Sequence, residues 1–166
     1  MLRICAQQHF RATEALRKGP FITMIITFCG HSDFYETGDI RERLLNSITE
    51  AAGDEQVELY LGGYGNFDLF AHSCAVQYKK SHPSAKIILV TPYIDEKYLA
   101  ARRDGYDEII YPDLEGVPKR FAITYRNRWI IGKADTVIAY VKRSVGGAYQ
   151  AYKHAIALQK NIRDLT

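Results

Sequence analysis

Twice in this chain a β-type apolar run gives way to glycines and then to a helix. Val57-Glu58-Leu59-Tyr60-Leu61 runs into Gly62-Gly63-Tyr64-Gly65-Asn66. Thr136-Val137-Ile138-Ala139-Tyr140-Val141 is followed, after a short basic loop, by Gly146-Gly147. Glycine lets a backbone approach a ligand closely and adopt positive φ. A helix starting just beyond offers unpaired N–H groups and the positive end of its dipole. Strand, glycine turn and helix N-terminus in succession is how α/β proteins hold phosphates. Two such turns in 166 residues point to a nucleotide-like ligand at the carboxyl ends of parallel strands.

The rest of the chain keeps the same alternation. Apolar runs predict strands at 24–29, 57–61, 86–91, 108–111 and 136–141, with a sixth around Ile162 and Leu165. Helices are expected over 40–52 behind an Asp39 N-cap, and over 67–81, 95–103, 119–132 and 147–160. Ile40, Leu44, Leu45, Ile48 and Ala52 recur at helical spacings of three and four. Ile87-Ile88-Leu89-Val90 and Val137-Ile138-Ala139 are continuously apolar, as strands covered on both faces are. The pattern is that of one α/β domain: a Rossmann-like, doubly wound parallel sheet of five to six strands with helices on both faces.

Charge and cysteine content narrow the function. The formal net charge is +3, and all of that excess lies in residues 1–23, where Arg3, Arg11, Arg17 and Lys18 face only Glu14. The neutral remainder argues against duplex nucleic acid, which demands a basic face. Met24 directly precedes the first strand, and Gly19-Pro20 marks a break. Residues 1–23 therefore read as an N-terminal extension, disordered or arising from a mis-assigned start, ahead of a domain over 24–166. Cys5, Cys29 and Cys74 are widely spaced without a CxxC, which suggests reduced thiols in a cytoplasmic protein. The histidines lack metal-ligand spacing, so no metal is expected. No apolar run reaches the roughly 18 residues of a membrane span.

Several side chains stand where chemistry would need them. Asp68 falls in the first turn of a helix, where an acid favours the dipole; it is also placed to accept a ribose hydroxyl or to stabilise an oxocarbenium-like centre. Ile123, Asn127 and Ile130 follow helical spacing, which sets Asn127 on an apolar stripe with Arg126 at its edge. There Arg126 either pairs internally, for example with Asp135, or holds a phosphate bidentately. His31 follows the first strand directly, and Tyr64 and Tyr93 sit in strand-end loops where a ring can stack on a base. Tyr60, Tyr111, Tyr125 and Tyr140 fit apolar runs and are expected to pack, as are Cys29 and Cys74. Lys142 and Arg143, just upstream of the second glycine pair, read as solvated loop charges, either of which could instead reach an anion.

The order of these motifs is similar to that of the SLOG superfamily of Rossmann-like domains. Gly30-His31 closes the first strand, Gly62-Gly63-Tyr64-Gly65-Asn66-Phe67-Asp68 the second, Tyr125-Arg126-Asn127 lies on a late helix, and Gly146-Gly147 opens the last one. The resemblance covers about 24–165 and is strongest to a small bacterial and phage branch of YspA-like proteins, with Lonely Guy phosphoribohydrolases and DNA-processing Smf proteins as distant relatives. It implies a nucleotide pocket lined by Gly30, His31, Ser32, Gly62, Gly63, Gly65, Asn66, Asp68, Arg126, Asn127, Gly146 and Gly147. It also implies a dimer formed through helices beside the site. Two departures matter. Ser32 stands where that branch usually carries an arginine, and Ala148-Tyr149-Gln150-Ala151-Tyr152-Lys153 lacks the catalytic glutamate of the Lonely Guy enzymes. The expected function is thus binding or sensing of a nucleotide-derived small molecule, ADP-ribose-like, without catalysis and with no tightly held cofactor. The alternatives are an N-glycosidic hydrolase or transferase, with Asp68 or Asp33 as its carboxylate, and a nucleic-acid or protein interaction module.

Overall fold

The computed structural model describes residues 2–4 and 23–166, with Leu2–Ile4 described as backbone. Its strands are β1 (Leu2–Ile4), β2 (Thr23–Gly30), β3 (Gln56–Leu61), β4 (Lys86–Val90), β5 (Glu108–Tyr111), β6 (Thr136–Tyr140) and β7 (Asn161–Asp164). They form one sheet in the order β1-β5-β4-β3-β2-β6-β7, and every neighbouring pair is parallel. The helices are α1 (Ile40–Ala52), α2 (Asn66–Ser81), α3 (Glu96–Ala100), α4 (Ala122–Lys133) and α5 (Gly146–Ala157).

Alternation along the strands feeds two cores. In β2, Ile26 faces one cluster and Ile25 and Cys29 the other, because successive side chains leave a strand on opposite sides. The first cluster packs Leu44 and Ile48 of α1 and Phe67, Ala71 and Cys74 of α2 against Leu59, Leu61 and Ile87. The second packs Ile130 and Ile131 of α4 and Ala155 of α5 against Ile88, Val90 and Val137. Helices therefore cover both faces, and the strands are apolar throughout for that reason. Burial pushes the thiol of Cys29 up to about 12 and that of Cys74 to about 11, so both behave as small core hydrophobes. Cys5 lies outside the described residues.

The differences from the sequence reading have local causes. Leu2–Ile4, inside the segment set apart as an extension, adds a strand to the sheet edge, pairing Leu2 with Ile109 and Ile4 with Tyr111. Thr23, the last residue of that segment, opens β2, and residues 1 and 5–22 lie outside the described residues. Asp39 occupies the N-cap position of α1, yet its side chain makes no capping bond. The helix expected from 119 begins as a 3-10 turn, Lys119–Phe121, before α4 proper. Tyr125 is exposed rather than packed. The buried stripe of α4 runs through Ala122, Arg126 and Ile130 at spacings of four, so Arg126 is the buried residue and Asn127 is only half-buried.

This topology fixes where a ligand can sit. The chain leaves β2 outward through β3, β4 and β5, then returns to β6 on the opposite side of β2. The loops after β2 and β6 consequently diverge, and the crevice at their carboxyl ends is the topological switch point where open α/β sheets bind ligands.

Candidate functional site

A cleft of about 340 Å³ opens at that switch point. It is lined by the loop after β2 (Gly30, His31, Ser32), by Gly62, Tyr64 and Asp68 around the start of α2, by Arg126 and Asn127 of α4, and by Arg143, Gly146 and Gly147 ahead of α5. Nine of the twelve residues expected at the pocket, all but Gly63, Gly65 and Asn66, are thus brought together. Apolar walls come from Ile123, Ile130, Val145 and Ala148.

Gly63, Gly65 and Asn66 shape the cleft without lining it. Gly65 lies at φ +88°, and a β-carbon there would stand 3.0 Å from the Ser32 Cα. The Asn66 N–H donates to the Ser32 carbonyl at 2.9 Å. The second glycine loop is in this way clamped onto the first.

The two glycine turns differ in one decisive respect. At the first, the amide groups already have an anion. Asp68, in the first turn of α2, folds back so that its carboxylate accepts the N–H groups of Gly62 (3.2 Å), Gly63 and Tyr64 (3.2 Å). This extends the capping-box device, in which an acid at the third helical position satisfies amides behind the helix. Burial pushes the Asp68 carboxyl above its usual range, and Arg126 and the three amides oppose that push.

Arg126 sits on the other side of the same backbone. Its Nη1 donates to the carbonyls of Gly62 and of Val90 (2.8 Å), and its Nε to Asn127 Oδ1 (2.9 Å). A β-carbon at Gly62 would come within 2.3 Å of Nη1, so only glycine lets the guanidinium reach that carbonyl. Arg126 is 2% exposed. Burial lowers its pKa and Asp68 supports its charge; arginine stays protonated in such settings. Its Nη2 makes no hydrogen bond to any described residue, and Arg126 is one of the residues lining the cleft. Asp135, weighed as its internal partner, instead accepts the Ile25 N–H at 2.8 Å.

At the second turn the amides are open. Among the described residues no side chain caps α5, whose N-cap is Val145, and no heavy atom of another described segment lies within 4 Å of where β-carbons on Gly146 and Gly147 would stand. The first N–H groups of a helix have no internal acceptor, so this end of α5 is a free donor set facing the cleft. Arg143 stands beside it. Its guanidinium makes two bonds to the Asp33 carboxylate, at 2.8 and 2.6 Å, yet its side chain remains 54% exposed. The Arg143 N–H donates to His31 Nε2 at 3.1 Å, which places the proton of the neutral ring on Nδ1. Burial and then Arg143 lower the His31 pKa, which keeps the ring neutral. The hydrogen bond with Arg143 lowers the Asp33 carboxyl. The sequence favours a solvated loop charge for Arg143 and leaves an anion contact as the alternative; its position three residues past β6, ahead of a glycine helix start, is the signal for the latter.

Among the described residues no group of three or more His, Cys, Asp or Glu side chains could hold a metal. No described helix is long and apolar enough to cross a membrane. No family model matches the sequence, and no curated protein matches it either. Solved structures are similar. DNA processing protein A from Helicobacter pylori, described for its single-stranded DNA binding mode, aligns over 85% of this chain at 16% identity and a TM-score of 0.57. This chain spans 64% of that protein, slightly less than two thirds. The molybdenum cofactor carrier protein from Chlamydomonas reinhardtii aligns over 86% of this chain and 76% of its own, at 16% identity and a TM-score of 0.53. The structural-genomics target TM1055 aligns over 84% and 72%, at 14% identity and a TM-score of 0.53. At such identities the likeness is one of fold: this chain shares the Rossmann-like α/β fold of these proteins.

Proposed function

We propose that the cleft binds a phosphate-bearing nucleotide of mononucleotide size, with the phosphate on the N-terminus of α5 and beside Arg143. The observation that carries this reading is the contrast between the two turns. The Gly62–Tyr64 amides are neutralised by Asp68, whereas those of Gly146 and Gly147 are uncapped and open. A volume near 340 Å³ is at the lower end of the roughly 300–1,000 Å³ typical of small-molecule sites. It suits a mononucleotide better than the larger ADP-ribose-like ligand that the sequence suggests. The free Nη2 of Arg126 offers a further donor, and Tyr64, 57% exposed, a surface for the base.

Binding rather than cleavage fits the carboxylates. Both Asp68 oxygens are engaged by backbone amides, and Asp33 is held by Arg143. Asp68 is thus not free to attack or to stabilise an anomeric carbon, and Asp33 sits on an exposed pair at the rim. Incubation with AMP should therefore release no free base.

Calorimetry with AMP, adenosine, inorganic phosphate and a short oligothymidylate tests the reading. AMP should bind with a component that is lost in Arg143→Ala, and adenosine, lacking the phosphate, should show no such Arg143-dependent component. Arg143→Ala should weaken AMP at least tenfold, as expected for a lost charged hydrogen bond of about 1.5–3 kcal/mol. Asp33→Asn, which removes the competing carboxylate, should tighten AMP. Silence across the panel, or an Arg143→Ala protein that binds AMP like the parent, contradicts the proposal. Preference for the oligonucleotide would move the reading to single-stranded nucleic acid.

A further inference from the structure

A second cavity, about 640 Å³, lies at the carboxyl ends of β4 and β5. The first turn of α4 separates it from the cleft: Ala122 lines this cavity and Ile123 the cleft. Its walls are Tyr93, Tyr98, Tyr111, Leu114, Val117 and Ala122. Three of these are phenols whose hydroxyls make no hydrogen bond to any described residue. The Tyr111 ring is buried, at 6% exposed for the whole residue, yet its hydroxyl oxygen is not sealed from the surface, so at this cavity wall it is open to a partner from outside, as a tyrosine hydroxyl normally seeks.

The rings are held in place by other means. The Tyr93 backbone is pinned by Thr91, whose Oγ1 donates to the Tyr93 carbonyl at 2.6 Å and accepts its N–H at 3.1 Å. Tyr98 meets Tyr93 edge-on at 5.2 Å, and the Arg102 guanidinium lies 4.1 Å from its ring centre. Preset aromatic walls suit a flat guest, since every heterocycle has a π-face to stack. The rim carries Asp95 and Glu115 against Lys119 alone, and Asp95 already accepts the Tyr98 N–H at 2.9 Å. No cluster of cations awaits a phosphate here.

We propose that this cavity is a stacking site for an unpaired purine-like ring, with the Tyr111 hydroxyl donating to an acceptor on the edge of the ring. It is a site distinct from the phosphate cleft and needs no anionic group on the ligand. The chemistry is shared by a free nucleoside and by a base in a single strand.

Fluorescence quenching of 2-aminopurine riboside, which carries no phosphate, tests it. The parent protein and Arg143→Ala should quench the probe saturably with equal midpoints. Tyr93→Ala should raise the midpoint about tenfold, the loss expected for one stacking partner. Tyr111→Phe preserves shape and removes only the hydroxyl, so it should raise the midpoint several-fold while its melting temperature stays near that of the parent. No saturable quenching in the parent overturns the proposal. So does a midpoint that moves with Arg143→Ala or stays fixed in Tyr111→Phe. The same probe inside a short single strand identifies the source: tighter binding than the riboside supports a ring presented by a strand, equal or weaker binding a free nucleoside. Failure of AMP to bind the cleft leaves the riboside result unaffected, so the two readings fail separately.

Discussion

Replacing Arg126 by alanine is expected to destabilise the ligand-free protein by about 3–5 kcal/mol, the cost of removing one partner from a buried, hydrogen-bonded charge arrangement. Three acceptors would lose their donors at once: the carbonyls of Gly62 and Val90 and the Asn127 side chain. The first two join the ends of β3 and β4 to α4, so the loss falls on the frame that positions the cleft. Asp68, half-buried at the cleft wall, would also lose its counter-charge. For a chain of this size the melting temperature should fall on the order of 10 °C, measured by calorimetry without ligand. Lysine should not rescue, because a point charge cannot reproduce the planar fork that bonds in several directions. A near-parental melting temperature for Arg126→Ala would mean that the guanidinium is held for a ligand rather than for the fold.

Asp68→Ala should cost about 3 kcal/mol, by the same logic from the opposite side. It leaves three amides without an acceptor and the buried Arg126 without its counter-ion. Asp68→Asn keeps the size but turns an amide NH2 toward N–H donors, so it should recover only part of the loss. The double variant Asp68→Ala/Arg126→Ala should be much less unstable than the sum of the singles, because neither charge is then left alone. Urea melts of the four proteins measure this coupling. Additive losses would show that the two groups act independently and that Asp68 is not the resident anion of the first turn.

Much of the fold was legible because a doubly covered parallel sheet writes itself as short apolar runs between amphipathic helices. Ile87–Val90 and Val137–Ala139 are read that way with little ambiguity. Leu2–Ile4 was not, since three residues with an arginine in the middle are too few to show a period, and only pairing with β5 makes them a strand. The site was legible as a set of turns but not as a division of labour. Gly62-Gly63 and Gly146-Gly147 are alike as sequence. What separates them is a carboxylate six positions after the first pair begins, folding back across the turn, and the lack of any acid in the first turn of α5. The spacing of Ile123, Asn127 and Ile130 sets Arg126 at the edge of its stripe, although Ala122 and Ile130, one turn to either side of Arg126, mark the face that the fold buries. Arg143 became visible only when β2 and β6 brought Asp33 and His31 to it across more than a hundred residues of chain.

The account turns on which amides receive the anion. Titration of the 15N-labelled protein with AMP, followed by amide chemical shifts, reads this directly. The largest shifts should fall on Gly147, Ala148 and Tyr149, with Arg143 and His31 following, while Gly63 and Tyr64 stay in place under Asp68. Shifts concentrated on Gly62–Tyr64, with the start of α5 unmoved, would contradict it.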